Sequence, residues 1–351
     1  MRILIVTDAW APQMNGVVRT LQTVRGELER EGCEVHVISP DLFRNIPCPT
    51  YSEIRLALTT RRRVGRMIEA LAPDCLHIAT EGPLGLAARR WAIRRGARFT
   101  TAYHTQFPDY VAKRTKLPAS WFWKYISWFH RPARAVMVST PTMQKELAAR
   151  GLPSTRLWGR GVDLACFTPH AGLHPAFAAL PKPIQLYVGR VAIEKNIGAF
   201  LDCVHPGSKV VVGDGPGLAG LRKRYPEVHF LGTLRGRELA SAYTSAEVFV
   251  FPSRTDTFGL VMIEALACGA PVAAFPVPGP LDVLTPETGA MHADLDAAIA
   301  SALRLDRGAC AAYGRSFSWE TSARQFRAAL EPLGLAAEQV EQQGDYQCAA
   351  E

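Results

Sequence analysis

Residues 248–272 most limit what this chain can fold into: Val-Phe-Val-Phe-Pro-Ser-Arg-Thr-Asp-Thr-Phe-Gly-Leu-Val-Met-Ile-Glu-Ala-Leu-Ala-Cys-Gly-Ala-Pro-Val. Val248 to Phe251 are apolar and β-prone, which predicts a buried strand. Pro252 and Ser253 end it. Thr257 and Gly259 open a run of good helix formers that Gly269 and Pro271 close. A strand that feeds a helix through a polar loop turns backbone N–H groups toward whatever lies above the sheet. Oxygen-rich and anionic ligands suit that position. Asp256 precedes the helix, and Glu264 lies inside it in the otherwise apolar run 260–267. A carboxylate there is costly unless something hydrogen-bonds to it, as sugar hydroxyls would. Alone, Asp256 reads as a helix cap. The pair, with Thr-Phe-Gly between, points to a ligand.

The same strand–loop–helix rhythm runs through the rest of the chain. Ile3–Val6 reads as strand one, followed by a loop to Asn15-Gly16, an amphipathic helix from about Val17 to Glu31, and a strand at Val35–Ile38. This is a βαβ unit of a parallel sheet. A Pro/Cys/Tyr-containing loop follows Pro40, and further strands are expected at Asp74–Ala79, Phe99–Tyr103 and Ala135–Ser139. Thr80-Glu81-Gly82-Pro83 and His104 fall at strand carboxyl ends, the rim where such sheets bind ligands. Residues 169–183, rich in Pro, His and Ala, read as an interdomain linker. A second series starts at Ile184–Val188, and the loop after it carries Arg190 and Lys195, two cations able to embrace a diphosphate.

Two other patterns look like chemistry and are better explained otherwise. Gly215, Gly217 and Gly220 match G-x-G-x-x-G, yet the next strand, Val228–Leu231, runs into Gly232-Thr233-Leu234 where a dinucleotide site needs an acid. Asp294-Leu295-Asp296 imitates a metal-binding Asp-x-Asp but stands directly before a helix, where capping explains it. No metal and no cofactor are expected.

At 351 residues, with 48% apolar side chains, the chain suits two domains with sizeable cores. The eight cysteines are scattered without a Cys-x-x-Cys pair, which predicts reduced thiols and a cytoplasmic setting. The first residues turn acidic too soon for a signal peptide, and no apolar run reaches membrane-spanning length. Charge is uneven. Residues 1–163 hold 25 Lys and Arg against 13 Asp and Glu, and the remainder holds 15 against 19. Either an anionic partner of the first half or an Arg-rich genome accounts for that. In residues 110–134, Trp121, Tyr125, Trp128 and Phe129 share one helical face, Lys124 and Arg131 another, and Lys113, Arg114 and Lys116 precede them. An aromatic stripe is often core. A Trp-rich basic segment also fits a bilayer interface, so Lys113, Arg114, Lys116, Trp121, Trp123, Lys124, Tyr125 and Trp128 are the expected contacts with an anionic membrane and a lipid acceptor. No nucleic-acid module accompanies the segment, and nucleic acid is not expected as a partner.

The acid–seven residues–acid spacing of Asp256 and Glu264 resembles the motif of retaining, nucleotide-sugar-dependent glycosyltransferases of the GT-B fold, the family 4 type. Gly189-Arg190…Glu194-Lys195 and Arg160-Gly161-Val162-Asp163 resemble further elements of that family. The phrase Ser-Arg-Thr-Asp-Thr-Phe-Gly looks most like members that glycosylate lipids such as diacylglycerol. The resemblance implies two Rossmann-like α/β domains facing across a cleft. It places the first at 1–168, the linker at 169–183, the second at 184–314, a helix returning to the first domain at 315–333 and a tail at 334–351. It implies that Glu264 holds the ribose, that Asp256 and His104 meet the transferred sugar, and that Arg190 and Lys195 neutralise the leaving diphosphate. Gly16, Thr257, Phe258 and Gly259 then line the donor, Thr233 and Leu234 neighbour the base, and Arg19 is an anion contact. The usual first acid is Glu; Asp256 is one methylene shorter, which implies a shifted contact or a different sugar. The implied reaction is metal-independent transfer of a hexose or hexuronic acid, from a UDP-sugar by preference, to a membrane lipid. It would occur on the inner face of the cell membrane. Transfer to a soluble or polyprenyl-linked glycan, for example of mannose, is the alternative. A non-catalytic nucleotide-sugar-binding protein is more remote.

Overall fold

The computed structural model describes residues 1–13, 15–48, 51–104, 118–152 and 154–334. The first sheet contains β1 (Arg2–Val6), β2 (Glu34–Ile38), β5 (Cys75–Ile78), β6 (Thr100–Tyr103), β7 (Ala135–Val138) and β8 (Thr155–Leu157). They lie in the order β2-β1-β5-β6-β7-β8, all parallel. Helices α1 (Gly16–Arg30), α2 (Arg61–Leu71), α3 (Pro83–Arg95), α4 (Ala119–His130) and α5 (Pro141–Ala149) connect and cover it. The second sheet contains β9 (Ile184–Val188), β10 (Ser208–Val212), β11 (His229–Gly232), β12 (Val248–Phe251), β13 (Val272–Ala274) and β14 (Gly289–Met291), again parallel, in the order β11-β10-β9-β12-β13-β14. Its helices are α6 (Ile197–Leu201), α7 (Leu218–Arg224), α8 (Gly236–Ser245), α9 (Leu260–Ala267), α10 (Pro280–Val283), α11 (Leu295–Ala302) and α12 (Arg307–Gly314). Strands covered on both faces are largely apolar, and β7, β9 and β12 are buried at every position, with Gln185 of β9 the polar exception.

Both sheets have the doubly wound pattern, so each has a switch point where neighbouring strands send their connections in opposite directions. These are β1/β5 in the first sheet and β9/β12 in the second. A crevice opens at the carboxyl ends of such strand pairs. The chain has two Rossmann-like halves.

One region differs from expectation. The loop after Pro40 contains an antiparallel hairpin, β3 (Asn45–Cys48) with β4 (Tyr51–Ala57), in register Asn45↔Ala57 and Ile46↔Leu56. Residues 169–183, expected as the linker, are anchored to the second half. Phe177 lies in the second core, and the His174 backbone N–H donates to Ser245 Oγ at 2.7 Å.

The last helix, α13 (Trp319–Ala329), packs Trp319, Ala323 and Phe326 into the core under the first sheet, beside Ile3, Leu21 and Trp158. Trp158 Nε1 donates to Ser322 Oγ at 3.1 Å, and Ser322 Oγ donates to the Gly159 carbonyl at 2.8 Å. Gly161 makes this seating possible. A Cβ there would lie 2.5 Å from Trp319 N and 2.6 Å from Trp319 Cα, and backbone cannot swing aside. Gly161→Ala is expected to cost about 3 kcal/mol, read as a lower denaturation midpoint. An unchanged midpoint would contradict this close approach.

Candidate functional site

The loop after β9 and the turn after β12 meet at the second switch point. The Gly215 backbone holds the first loop: a Cβ there would come within 2.4 Å of the Val191 carbonyl, and the Gly217 N–H donates to that carbonyl at 2.9 Å. The Gly-x-Gly of the sequence thus shapes the Arg190 loop. Lys195 reaches across to β12's turn and donates to both oxygens of Asp256, at 2.6 and 2.9 Å. Both side chains are about one-quarter exposed. Arg190 stands exposed on the same loop.

Thr257, next in the turn, donates from Oγ1 to the His104 carbonyl at 2.9 Å. This bond crosses from the second half to the tip of β6 in the first. It sets the backbone of His104 against the turn that carries Asp256, the partner of Lys195. Thr142 in the first half also reaches the second: its N–H and hydroxyl both donate to Asp282 Oδ1, at 3.1 and 2.9 Å.

Glu264 faces the junction from α9 and is 2% exposed. Arg19 Nη1, from α1, donates to its Oε1, and the Tyr243 hydroxyl donates to Oε2 at 3.1 Å. Burial raises the Glu264 pKa above the usual carboxylate range, while Arg19 and the Tyr243 bond hold it back. Leu260, on the same helix, packs against the cores of both halves. Arg19 is therefore an interdomain partner of the acid expected at the ribose.

His104 is bonded on its other side by Arg160, whose Nη2 lies 3.2 Å from Nδ1. Burial, chiefly, and then Arg160, His77 and His130 push the His104 pKa well below that of a free histidine.

At the first switch point, Asp8 accepts from Leu84 N–H at 2.9 Å, Gly85 N–H at 3.3 Å and the Thr80 hydroxyl at 3.0 Å. Burial outweighs these bonds and pushes its pKa up to about 6. Beside it, the Glu81 carboxylate lies 3.2 Å from His130 Nε2, and the Glu81 carbonyl accepts from the Tyr125 hydroxyl at 2.5 Å. Glu81 falls on the rim expected from the sequence, whereas Asp8, His130, Arg160 and Tyr243 were not singled out there as site residues. Asp8 could have been, since it stands just past the end of β1, one of the two strands that flank the switch.

Gly16 is exposed at the first turn of α1, and a Cβ there would meet only Leu260 Cδ1 at 3.5 Å, so the protein itself does not demand glycine. Gly259 caps α9 at φ +85°, where glycine is favoured. Phe258 turns its ring into the second core against Phe317, which leaves only its backbone for a ligand. Thr233 is exposed beyond the edge strand β11, and Leu234 packs on the second core. Asp294 caps α11, and Asp296 accepts the Val204 and His205 N–H groups.

The aromatic helix α4 is divided. Trp123, expected as a membrane contact, and Phe129, expected on one face with Trp121, Tyr125 and Trp128, are buried; Trp123 packs with Tyr103, Ile126 and Val136, and Phe129 joins the first core. That corrects both. Trp121 (62% exposed), Trp128 (47%), Tyr125, Lys124 and Arg131 face outward. With Arg89 and Arg150, three of them (Lys124, Trp128 and Arg131) line a groove. Lys113, Arg114 and Lys116 lie outside the described residues. No helix among the described residues is long and apolar enough to cross a membrane.

Comparison with known proteins gives one answer for both halves. The profile of Glycosyltransferase Family 4 matches residues 14–165, and that of Glycosyl transferases group 1 matches residues 182–305. A GDP-mannose-dependent alpha-mannosyltransferase of Mycobacterium tuberculosis is 33% identical over 311 residues, 82% of each chain. The alpha-monoglucosyldiacylglycerol synthase of Acholeplasma laidlawii is 27% identical over 322 residues, 78% of this chain and 79% of that one. Among solved structures, sucrose-phosphate synthase of Thermosynechococcus elongatus superposes with a TM-score of 0.74 at 22% identity over 99% of both chains. With two doubly wound sheets and hydrogen bonds that tie the two halves together, this chain belongs to the GT-B glycosyltransferases, the Family 4 and group 1 type.

Proposed function

We propose that this glycosyltransferase moves a hexose or hexuronic acid from a nucleotide-sugar, a UDP-sugar by preference, to a membrane lipid such as diacylglycerol, with retention of configuration and without a metal. One observation carries the reading. The two cation-bearing and acid-bearing loops of the second half meet through Lys195 and Asp256, and Thr257 ties that meeting point to His104 of the first half. A donor lying there would have its diphosphate against Arg190 and Lys195, its ribose hydroxyls at Glu264, and its sugar between Asp256 and His104.

The chemistry follows from charge. As the glycosidic bond breaks, negative charge grows on the departing diphosphate, and two fixed cations stabilise it. That supplies the role a metal would otherwise take. Asp256 has both oxygens engaged by Lys195, which makes it a poor attacking group. This supports attack by the acceptor hydroxyl on the face from which the phosphate leaves, with the phosphate oxygen taking the hydroxyl's proton. A thermal-shift series with UDP, GDP and their sugars tests the donor. A matching nucleotide at a hundred times its Kd stabilises by about 2.7 kcal/mol. If none raises the midpoint and no donor is hydrolysed or transferred, the reading fails.

The lipid acceptor is supported by the outward Trp121, Trp128, Lys124 and Arg131 and by similarity to the diacylglycerol enzyme. Each basic side chain near an anionic surface adds about 1 kcal/mol. Anionic vesicles are expected to pull the protein down, and Trp121→Ser with Trp128→Ser to weaken that about tenfold or more. No cosedimentation would favour the second reading, mannose transfer to a soluble or polyprenyl-linked glycan, which similarity to the GDP-mannose enzyme supports.

A further inference from the structure

His104 and Arg160 meet in an arrangement whose proton placement is fixed by chemistry. A guanidinium carries only donors. Its Nη2 lies 3.2 Å from His104 Nδ1, so that nitrogen must accept, and the ring proton of a neutral imidazole must sit on Nε2. Nε2 is buried and has no partner among the described residues. An unpaired buried donor is costly enough that it calls for an acceptor.

Arg160 cannot drift away from this task. It is 8% exposed, its Nη1 donates to the Trp158 and Gly159 carbonyls at 2.7 and 3.2 Å, and its guanidinium lies over the Trp158 ring, 4.6 Å from the centroid. Among the described residues it has no ion pair with a carboxylate, so its charge remains to act on the imidazole. The other titratable groups facing His104 are His77 and His130, both buried, whose Nδ1 atoms meet Thr100 and Thr101 on β6. Protonating His104 would put a second cation beside a buried one.

We propose that Arg160 is a positioning residue that holds His104 as a neutral, Nε2-protonated imidazole, so that the histidine gives a hydrogen bond to a sugar or acceptor oxygen and cannot take the acceptor's proton. This rests on the reading of His104 as a sugar-facing residue. It agrees with the proposed reaction, in which the departing phosphate oxygen takes the acceptor's proton, since Nε2 already carries its own.

Nitrogen-15 NMR of the imidazoles in the full chain tests this, with His104 assigned through His104→Gln. The wild-type protein should show His104 protonated at Nε2, bare at Nδ1, and without titration between pH 7.5 and 5.5. Arg160→Met should release Nδ1 and mix the tautomers. It should lower kcat roughly 10–100-fold with donor KM little changed, as loss of an orienting partner does. Arg160→Lys, which can still donate, should restore part of both. A wild-type His104 protonated on Nδ1, or titrating like a free histidine, overturns the proposal, and so does an unchanged tautomer in a folded Arg160→Met protein. The wild-type spectrum decides even if that variant does not fold. If His104→Gln keeps full activity while the spectrum is as expected, the sugar-facing reading fails instead.

Discussion

Glu264→Ala is expected to lower kcat/KM for the donor by about 10²–10⁴-fold, mostly through KM. Two ribose hydroxyls donating to one carboxylate are charge-assisted bonds worth about 1.5–3 kcal/mol each. Stability should change little, because two effects oppose. The variant removes a carboxylate whose burial is unfavourable enough to raise its pKa, and it strands the buried Tyr243 hydroxyl. Arg19 is two-fifths exposed, so water replaces part of what it loses. Calorimetric titration with the free nucleotide checks the claim; unchanged affinity in a folded variant would remove Glu264 from the donor site. Arg19→Met separates ionisation from contact. Without the cation, the raised pKa of Glu264 climbs further, and the protonated acid accepts ribose hydrogen bonds poorly. Nucleotide affinity in that variant should therefore be weakest at acid pH and recover as pH rises and the carboxylate forms. A loss that is the same at every pH would mean that Arg19 touches the ligand itself.

The parts of this fold that could be read from the sequence are those where burial imposes a plain pattern. β9 and β12 are parallel strands covered on both faces, so Val248–Phe251 is apolar without interruption and Ile184–Val188 is broken only by Gln185. α9 announces itself through the glycine before it, which sits at a positive φ. The hairpin of β3 and β4 shows no such pattern: Asn45-Ile-Pro-Cys mixes turn and strand formers, and the pairing has an irregularity after Pro47. The aromatic helix misleads for a different reason. Trp123, Ile126 and Phe129 recur at helical spacing, and so do Trp121, Tyr125 and Trp128, so both an inner and an outer stripe exist in one segment and the letters alone do not say which is which. In the site, residues near one another in sequence were legible as candidates, whereas what each touches was not. Arg19 lies 245 positions from Glu264, and Thr257 153 from His104. Charge balance in a single sequence contains no record of such pairs. Arg160 stood within a recognised segment, but its hydrogen bond to an imidazole on another strand appears only once β6 and the loop after β8 lie side by side.

Lys195→Met should be more damaging than the loss of one diphosphate contact. Lys195 lies between two anions, the diphosphate of the proposed donor and Asp256, and it holds Asp256 by two bonds. Removing it deletes a cation that stabilises the departing charge, an effect of about 10²–10³ in rate for a single well-placed group. It also leaves a carboxylate facing the incoming diphosphate, and like charges in a partly buried site repel. The expected fall in kcat/KM is therefore about 10³ or more. Asp256→Asn alone should cost less, roughly 10–100-fold, since it weakens the proposed sugar contact and frees Lys195. The double variant discriminates between mechanisms. If Asp256 becomes harmful once its cation is gone, Lys195→Met with Asp256→Asn should be no worse than Lys195→Met alone, a coupling of about 1–3 kcal/mol. If the two losses multiply instead, the residues act independently. The ion pair would then be a by-product of proximity, with no part in neutralising the leaving group.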